Sequence, residues 1–451
     1  MKIVLTSFLI CVFLLSSTAQ SFTEILGRPT TTSVTLSLLF DQDAEVYCEY
    51  GTASGLYDQT SAMVKVEKDV PIEIKMVGLL PNTKCFYRTR YRLISDDSDF
   101  QAGSEHCFHT ARPRGSTFTF AIEADPHLDD NSVPEAYART LQNIEAVNPD
   151  FLIDLGDIFM SEKEPIKDQD AITARHLLYR PLYGSVCHSV PLFLVIGNHE
   201  GEVGWRLNGT KDALPIMASN TRNKYYPNPL PDSFYSGNTK KEPFVGLRAN
   251  YYAFEWGDAL FVVLDPYWYT VKKTGWGWTL GTEQYKWFEK TITESKAKYK
   301  FVFSHQLVGG DGKNGRGGKE FADLYEMGGY NADGTWGWDR YRPDWDKPIH
   351  TLMVDNNATI FFHGHDHFYC KQEMDGVVYQ EVPQPSNRSL THITGTEYGY
   401  KEGVLLPGRG FLKVTVSPTK VTVDYIRSYL PNEENATRKN GEVAYSYTLK
   451  F

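Results

Sequence analysis

The chain has 451 residues, too many for one ordinary core, so at least two domains are expected. Its 41% hydrophobic and 23% charged residues are those of a globular protein, which excludes a disordered or fibrous chain. A net charge of −10 gains nothing from counterion release on nucleic acid, so no DNA- or RNA-binding module is expected, and attraction for an anionic partner must come from a local site.

Residues 1–19 read as a signal peptide. Met1-Lys2 precedes an apolar stretch from Ile3 to Leu15, and Ser17 and Ala19 are small residues at the spacing a signal peptidase reads, which places cleavage after Ala19. That stretch is too short to span a bilayer and no later run reaches the length, so the reading is an exported protein, secreted or periplasmic, without a transmembrane segment. Cleavage leaves Cys48, Cys85, Cys107, Cys187 and Cys370, an odd set that is no disulfide scaffold. One bridge among Cys48, Cys85 and Cys107 and a set of buried free thiols both stay open.

From residue 22 to 112, strand-like runs recur between turn signals: SVTLSLLF, AEVYCEYG, VPIEIKMVGL, KCFYRTRYRL and SEHCFHTA. Short alternating strands at this spacing predict a β-sandwich. ARPRGST, residues 111–117, reads as a linker, and from 117 the pattern becomes strand, helix, strand. Ser132 and Glu135 have capping-box spacing with Pro134 in the first turn, which predicts a helix start there. Tyr285, Phe288 and Ile292 at helical spacing predict another helix from Thr282 to Ser295. Residues 200–250 and 309–347 are polar, glycine-containing segments too long for plain connectors, of the kind that shapes access to a site. Hairpin-like pairs after His367 predict a second sheet that is largely C-terminal.

Five apolar runs end in polar clusters. FTFAIEAD closes on Asp125 and His127, DFLIDLGD on Asp157, PLFLVIGN on Asn198, YKFVFSH on His305, and ATIFFHGHDH on His365 and His367. Polar groups at the ends of buried strands predict loops converging above a rigid sheet. Carboxylate, amide oxygen and imidazole together suit divalent Mn, Fe or Zn, and the lack of cysteine in the clusters argues against a thiolate zinc site. Asp157 has two oxygens and can bridge two ions. Paired ions can stabilise both the attacking and the leaving oxygen at phosphorus and lower the pKa of bound water, so no serine or cysteine nucleophile is required.

In this order the clusters resemble the calcineurin-like metallophosphoesterase family, whose pattern is D-x-H, G-D, G-N-H-[DE], a lone histidine after a strand, and G-H-x-H. Here it reads Asp125-Pro126-His127, Gly156-Asp157, Gly197-Asn198-His199-Glu200, His305 and Gly364-His365-Asp366-His367. The resemblance implies that Asp125, His127, Asp157 and His367 hold one divalent ion and that Asp157, Asn198, His305 and His365 hold a second. It implies that His199 is the non-ligand catalytic histidine, placed to assist the leaving-group oxygen. The run from Leu79 to Arg88, with Phe108-His109-Thr110 after it, resembles the fibronectin III-like domain that precedes the catalytic domain in purple acid phosphatases, with Cys85 where that pattern carries a tyrosine. The metal motifs depart from those phosphatases: Met160 stands where they carry the tyrosine that binds ferric iron, and their first motif lacks the histidine supplied here by His127.

The implied fold is an N-terminal all-β fibronectin III-like sandwich over residues 22–112, followed by a two-sheet α/β metallophosphoesterase sandwich over 117–451. The implied activity is that of an exported, acid phosphatase-like phosphoesterase using a dinuclear centre and metal-bound hydroxide on phosphate esters, monoesters somewhat ahead of diesters. The alternatives are a phosphodiesterase of the same fold and a non-catalytic exported binding protein. His363 precedes the glycine turn and is expected to be structural. Arg316 lies in a glycine-rich run that lacks the ending of a nucleotide P-loop; it reads as a loop residue, with a phosphate contact as the sharper reading. The aromatic run of Trp268, Tyr269, Trp276 and Trp278, with Trp336, Trp338 and Trp345, reads as packing loops, with walling a pocket as the alternative. The ester class, the metals and the oligomeric state are not written in these motifs.

Overall fold

The computed structural model describes residues 22–95, 99–310 and 314–451. The expected signal peptide lies outside them. Among the described residues, no helix is long and apolar enough to cross a membrane.

Alternating apolar residues turn the first segment into two facing sheets. Phe22–Gly27, Ser33–Phe40 and Ile72–Val77 pair antiparallel in one. Ala44–Gly51 and Lys84–Leu93 form the centre of the other, flanked by shorter strands. Leu36, Leu38, Val46, Ile74, Met76 and Tyr87 fill the space between them. Cys48 and Cys85 are buried in this layer, and all five described cysteines are free, so the bridge left open by the sequence does not form.

The outer face of this unit docks on the helix Gln169–Cys187. Ile25 shares an apolar cluster with Tyr179, Tyr183 and Val186. Arg180, buried in the contact, donates to the Ser37 carbonyl at 3.2 Å and the Ser37 hydroxyl at 2.9 Å, and the Tyr87 hydroxyl donates to the His188 carbonyl at 2.7 Å. A buried guanidinium is stable only with its N–H groups satisfied, so this contact has one geometry and fixes the two units against each other.

The remaining chain is a two-sheet sandwich. The first sheet runs, in spatial order, Leu192–Leu194, Leu152–Asp154, Phe118–Glu123, Gly410–Ser417, Lys420–Arg427 and Val443–Lys450. Its first three strands are parallel and the rest antiparallel. At the centre of the second sheet Ala259–Val263, Tyr299–Phe303, Ile360–His363 and Val377–Glu381 run parallel. An aromatic layer including Phe120, Phe151, Phe193, Phe254, Phe261, Phe301 and Phe362 separates the sheets. Helices Pro134–Val147 and Gln169–Cys187 cover the outer face of the first sheet, and Thr282–Glu294 and Ile349–Asp355 that of the second. Near-continuous apolar strands are what burial on both faces demands.

Two expectations are corrected. The last three strands extend the first sheet rather than building the second, because Leu412, Val414, Val416, Val421 and Val423 face the aromatic layer beside Phe118–Glu123. The capping box also fails. The helix starts one residue later than that spacing needs, with Val133 at the N-cap and Pro134 fixing the first turn. The Ser132 hydroxyl instead donates to Asp129 at 3.2 Å, bracing the turn that follows His127.

Candidate metal centre

Each of the five strands that carry the clusters ends at the same edge of the sandwich, so loops from both sheets meet there. The meeting requires unusual backbone: Asp125, His127, Asp157, His365 and His367 all have positive φ, between 53° and 80°. A non-glycine residue in this region costs on the order of 1–3 kcal/mol and persists only where surrounding contacts enforce it. Gly364 allows the approach, because a Cβ there would lie 2.7 Å from both the Ala124 Cβ and Asp125 Oδ2. Glu200, fully buried, ties the second and third loops together by accepting the backbone N–H groups of Gly197, Asp157 and Phe159.

The side chains form two groups with metal-ligand spacing, Asp125, His127 and His367 in one and Asp157, His305 and His365 in the other. His127 Nε2 lies 3.5 Å from Asp125 Oδ1, and His367 Nε2 lies 3.4 Å from the same oxygen. Asp157 Oδ2 reaches both groups, 3.8 Å from His127 Nε2 and 3.2 Å from His305 Nε2.

The outer atoms of these residues are already occupied, and that orients the inner ones. Asp125 Oδ2 accepts the His365 N–H at 2.8 Å, which leaves Oδ1 facing inward. Asp157 Oδ1 accepts the His199 N–H at 2.7 Å, which leaves Oδ2 inward. His305 Nδ1 meets the Leu155 carbonyl at 3.0 Å, and His365 Nε2 meets the Asn314 carbonyl at 3.1 Å, so both contacts place the ring proton outside. The inner nitrogens, His305 Nε2 and His365 Nδ1, then face each other at 3.2 Å, with Asp157 Oδ2 also 3.2 Å from His305 Nε2.

Buried polar atoms without partners test whether the residues fit metal ions. Asp125 Oδ1, His127 Nε2 and Asn198 Oδ1 are all buried and make no hydrogen bond. Each such atom is costly unless something satisfies it. Three of them lie in these strand-end loops, and each is of a kind that can ligate a divalent ion. The charges agree. Burial pushes the Asp125 and Asp157 carboxyls up, but the imidazoles of His305 and its neighbours outweigh it and hold both well below the usual range. Ionised carboxylates packed among imidazoles form a site built to bind positive charge.

His199 stands beside the groups. Its Nε2 lies 4.0 Å from Asp157 Oδ2, and its Nδ1 lies 3.2 Å from Glu162 Oε2. Glu162 in turn accepts Arg206 at 3.2 Å. A cavity of about 190 Å³ opens over His199, Asn198 and His365, bordered by Lys163, Lys273 and Arg316. Trp278, whose buried indole nitrogen has no partner, also lines it. Arg316 is held by the His365 carbonyl at 2.6 Å and Asp366 at 3.1 Å, with its guanidinium 4.4 Å from the Tyr398 ring. It therefore lies at the rim of this cavity. His363 is paired with Glu381 at 2.7 Å and stays behind the glycine turn, as expected of a structural residue.

All seven expected ligands and His199 thus come together. Glu162, Lys163 and Lys273 do not emerge from the sequence, whereas Trp278 belongs to the aromatic run read there as packing loops or walling a pocket. Glu162 lies in a polar stretch, MSEKEP, with nothing periodic to mark it. The lysines reach the site from loops whose course no short-range pattern encodes.

Comparison with known proteins places this arrangement. Residues 118–369 match the family model described as calcineurin-like phosphoesterase. No curated protein matches the sequence. Among solved structures, that of PhoD is similar with a TM-score of 0.65 at 15% identity, covering 95% of this chain and 90% of that one. The purple acid phosphatase PPD1 from yellow lupin (Lupinus luteus) seeds is similar with a TM-score of 0.60 at 16% identity, covering 95% of this chain and 74% of that one. Both likenesses span the N-terminal β region as well as the α/β sandwich.

Proposed function

This chain belongs to the calcineurin-like phosphoesterase family, and on that premise we propose a metal-dependent phosphoesterase whose ions are held by the seven residues at the strand ends. Asp125, His127, Asp157 and His367 take one ion, and Asp157, Asn198, His305 and His365 the other, with Asp157 shared. The observation that carries this reading is the convergence of three buried, unpartnered ligand atoms, Asp125 Oδ1, His127 Nε2 and Asn198 Oδ1. Mn, Fe or Zn suits the donor set. When bound, such a pair supplies Lewis acidity toward phosphoryl oxygens and acidifies water at the site. Export, read from residues 1–19, belongs to the same proposal.

The protein's own groups then have distinct work. Lys163, Lys273 and Arg316 border the cavity over the site and give an otherwise acidic protein a local attraction for a phosphate ester. Glu162 holds His199 by Nδ1, which fixes the ring with Nε2 directed at the site to serve the departing oxygen. Burial would raise the Glu162 carboxyl, but His199 and then Arg206 outweigh it and hold it below its ordinary value.

The test is direct. Mature protein reconstituted with manganese should bind two ions per chain and hydrolyse p-nitrophenyl phosphate or its diester, and chelation should abolish turnover. Binding of two ions with hydrolysis of neither ester would refute the enzyme reading. His199→Ala should keep its metals and lose roughly 10²–10⁴-fold in kcat, with Glu162→Gln losing about tenfold. Loss of metal from His199→Ala would make it a ligand-positioning residue instead.

A further inference from the structure

We propose that the wider of two cavities at the site, which opens beside His367, is a subsite for the retained substituent of a phosphodiester, and that this substituent carries a second anionic group. The proposal deepens the phosphoesterase reading above and rests on it.

The cavity of about 190 Å³ contains His199 and Glu162, so a leaving group protonated by His199 departs there. The second cavity, of about 640 Å³, is bounded by Asn131, Arg316, His367, Arg388 and His392, and His199 takes no part in it. Arg316 borders both, so the phosphorus lies between them. A monoester has one substituent, which exits toward His199 and leaves the larger cavity to solvent. A diester fills both. In the reaction, water oxygen bonds to phosphorus, the P–O bond on the His199 side breaks, and the departing oxygen takes a proton. The other P–O bond persists, and its substituent stays beside His367.

The charge of the second cavity selects what it holds. Arg388 is exposed, and among the described residues its guanidinium makes no hydrogen bond or ion pair. Its backbone, by contrast, is pinned. The Arg388 N–H donates to the Asn131 carbonyl at 3.3 Å, and Val133 donates to Ser386 at 2.8 Å. Buried Arg409 donates to the Asn387 carbonyl at 2.8 Å, and Asn387 donates to the His367 carbonyl at 3.2 Å. Asp366 is the carboxylate bordering this cavity, and Tyr400 at 2.9 Å, Gly317 at 2.8 Å and Arg316 at 3.1 Å already engage it. Arg388 and His392 are left facing the cavity on a braced loop. The backbone of Arg388 is fixed beside the cavity, and its unpartnered guanidinium is available to an anion there.

Four p-nitrophenyl esters share a leaving group and test the subsite: the monoester, the ethyl diester, and diesters retaining glycerol phosphate or thymidine 3′-phosphate. In metal-loaded protein the phosphate-bearing diesters should exceed the ethyl diester in kcat/KM by roughly tenfold or more. Arg388→Ala should bring that ratio close to one, and Arg388→Lys should keep part of it. A ratio within one preparation is unaffected by any misfolded fraction. Glycerol bisphosphate should also bind the parent roughly tenfold tighter than Arg388→Ala in a titration without turnover. The glycerol and thymidine arms separate a polyol from a nucleoside as the carrier of the anion. Equal rates for ethyl and phosphate-bearing diesters, a ratio that survives Arg388→Ala, or a monoester faster than every diester would overturn the proposal. Hydrolysis of none of the four would overturn the phosphoesterase reading, and the subsite with it.

Discussion

Asp157→Asn is expected to empty both metal positions and lower kcat/KM by roughly a thousandfold or more, the scale of losing a principal source of transition-state stabilisation. The two oxygens of Asp157 do different work. Oδ1 accepts the His199 backbone N–H, and Oδ2 lies within 3.2 Å of His305 Nε2 and 3.8 Å of His127 Nε2. An asparagine of the same size keeps an acceptor for His199 and places an NH₂ where Oδ2 was. That group cannot ligate a cation, and the site loses a negative charge that both ion positions share. The fold should survive, because the amide keeps the side chain's volume and the acceptor for the His199 N–H. Elemental analysis, turnover and thermal melting on the same preparation check this. A variant that keeps two ions and near-parent turnover would show that Asp157 is not the shared ligand.

The order of the site residues was legible because each closes an apolar run short enough to read as a strand. Strand ends at one edge of an α/β sandwich bring such residues together whatever the loops do. The same logic placed the helix Thr282–Glu294, whose buried Tyr285, Phe288 and Ile292 carry the period. It could not assign the C-terminal strands to a sheet, since Leu412, Val414 and Val416 alternate equally well against either partner; only the facing aromatic layer decides. Ser132 misled for a related reason. Capping-box spacing describes two side chains, whereas the helix start is set by Pro134 and by the turn that Ser132 makes with Asp129. Glu162 was invisible because its partner, His199, lies 37 positions away and meets it only after the second and third strands pair. The acidic composition likewise concealed a cation-lined cavity, because Lys163, Lys273 and Arg316 come from three separate loops.

Residues 200–250 show how a long polar segment is held rigid beside the site, and this gives the second large expected effect. Glu202, Arg222, Arg248 and Asp265 are all buried. Arg248 donates to Glu202 at 2.8 Å and to Asp265 at 3.0 Å, and Arg222 donates to Glu202 at 3.2 Å and to the Arg248 carbonyl at 2.8 Å. Two cations and two anions balance, and the network anchors the chain four residues beyond Asn198. Glu202→Gln removes one anion and leaves two buried guanidinium groups on one carboxylate. That should cost about 3–5 kcal/mol of stability. The sign of the pH dependence follows from the same contacts. Burial would raise the Glu202 carboxyl, but Arg222 and Arg248 outweigh it and bring it from its ordinary 4.5 down to about 2. Below 4.5 the unfolded chain takes up the proton first, so this contribution is complete above that pH and is lost as pH falls toward about 2. The parent, once protonated, then resembles Glu202→Gln. The two stabilities should therefore differ most near neutrality and converge in acid when unfolding is followed in denaturant across that range. A constant difference at every pH would mean that the lost glutamate acts through packing and not through its charge. A difference within about 1 kcal/mol near neutrality would mean that the long segment is held by its apolar contacts instead.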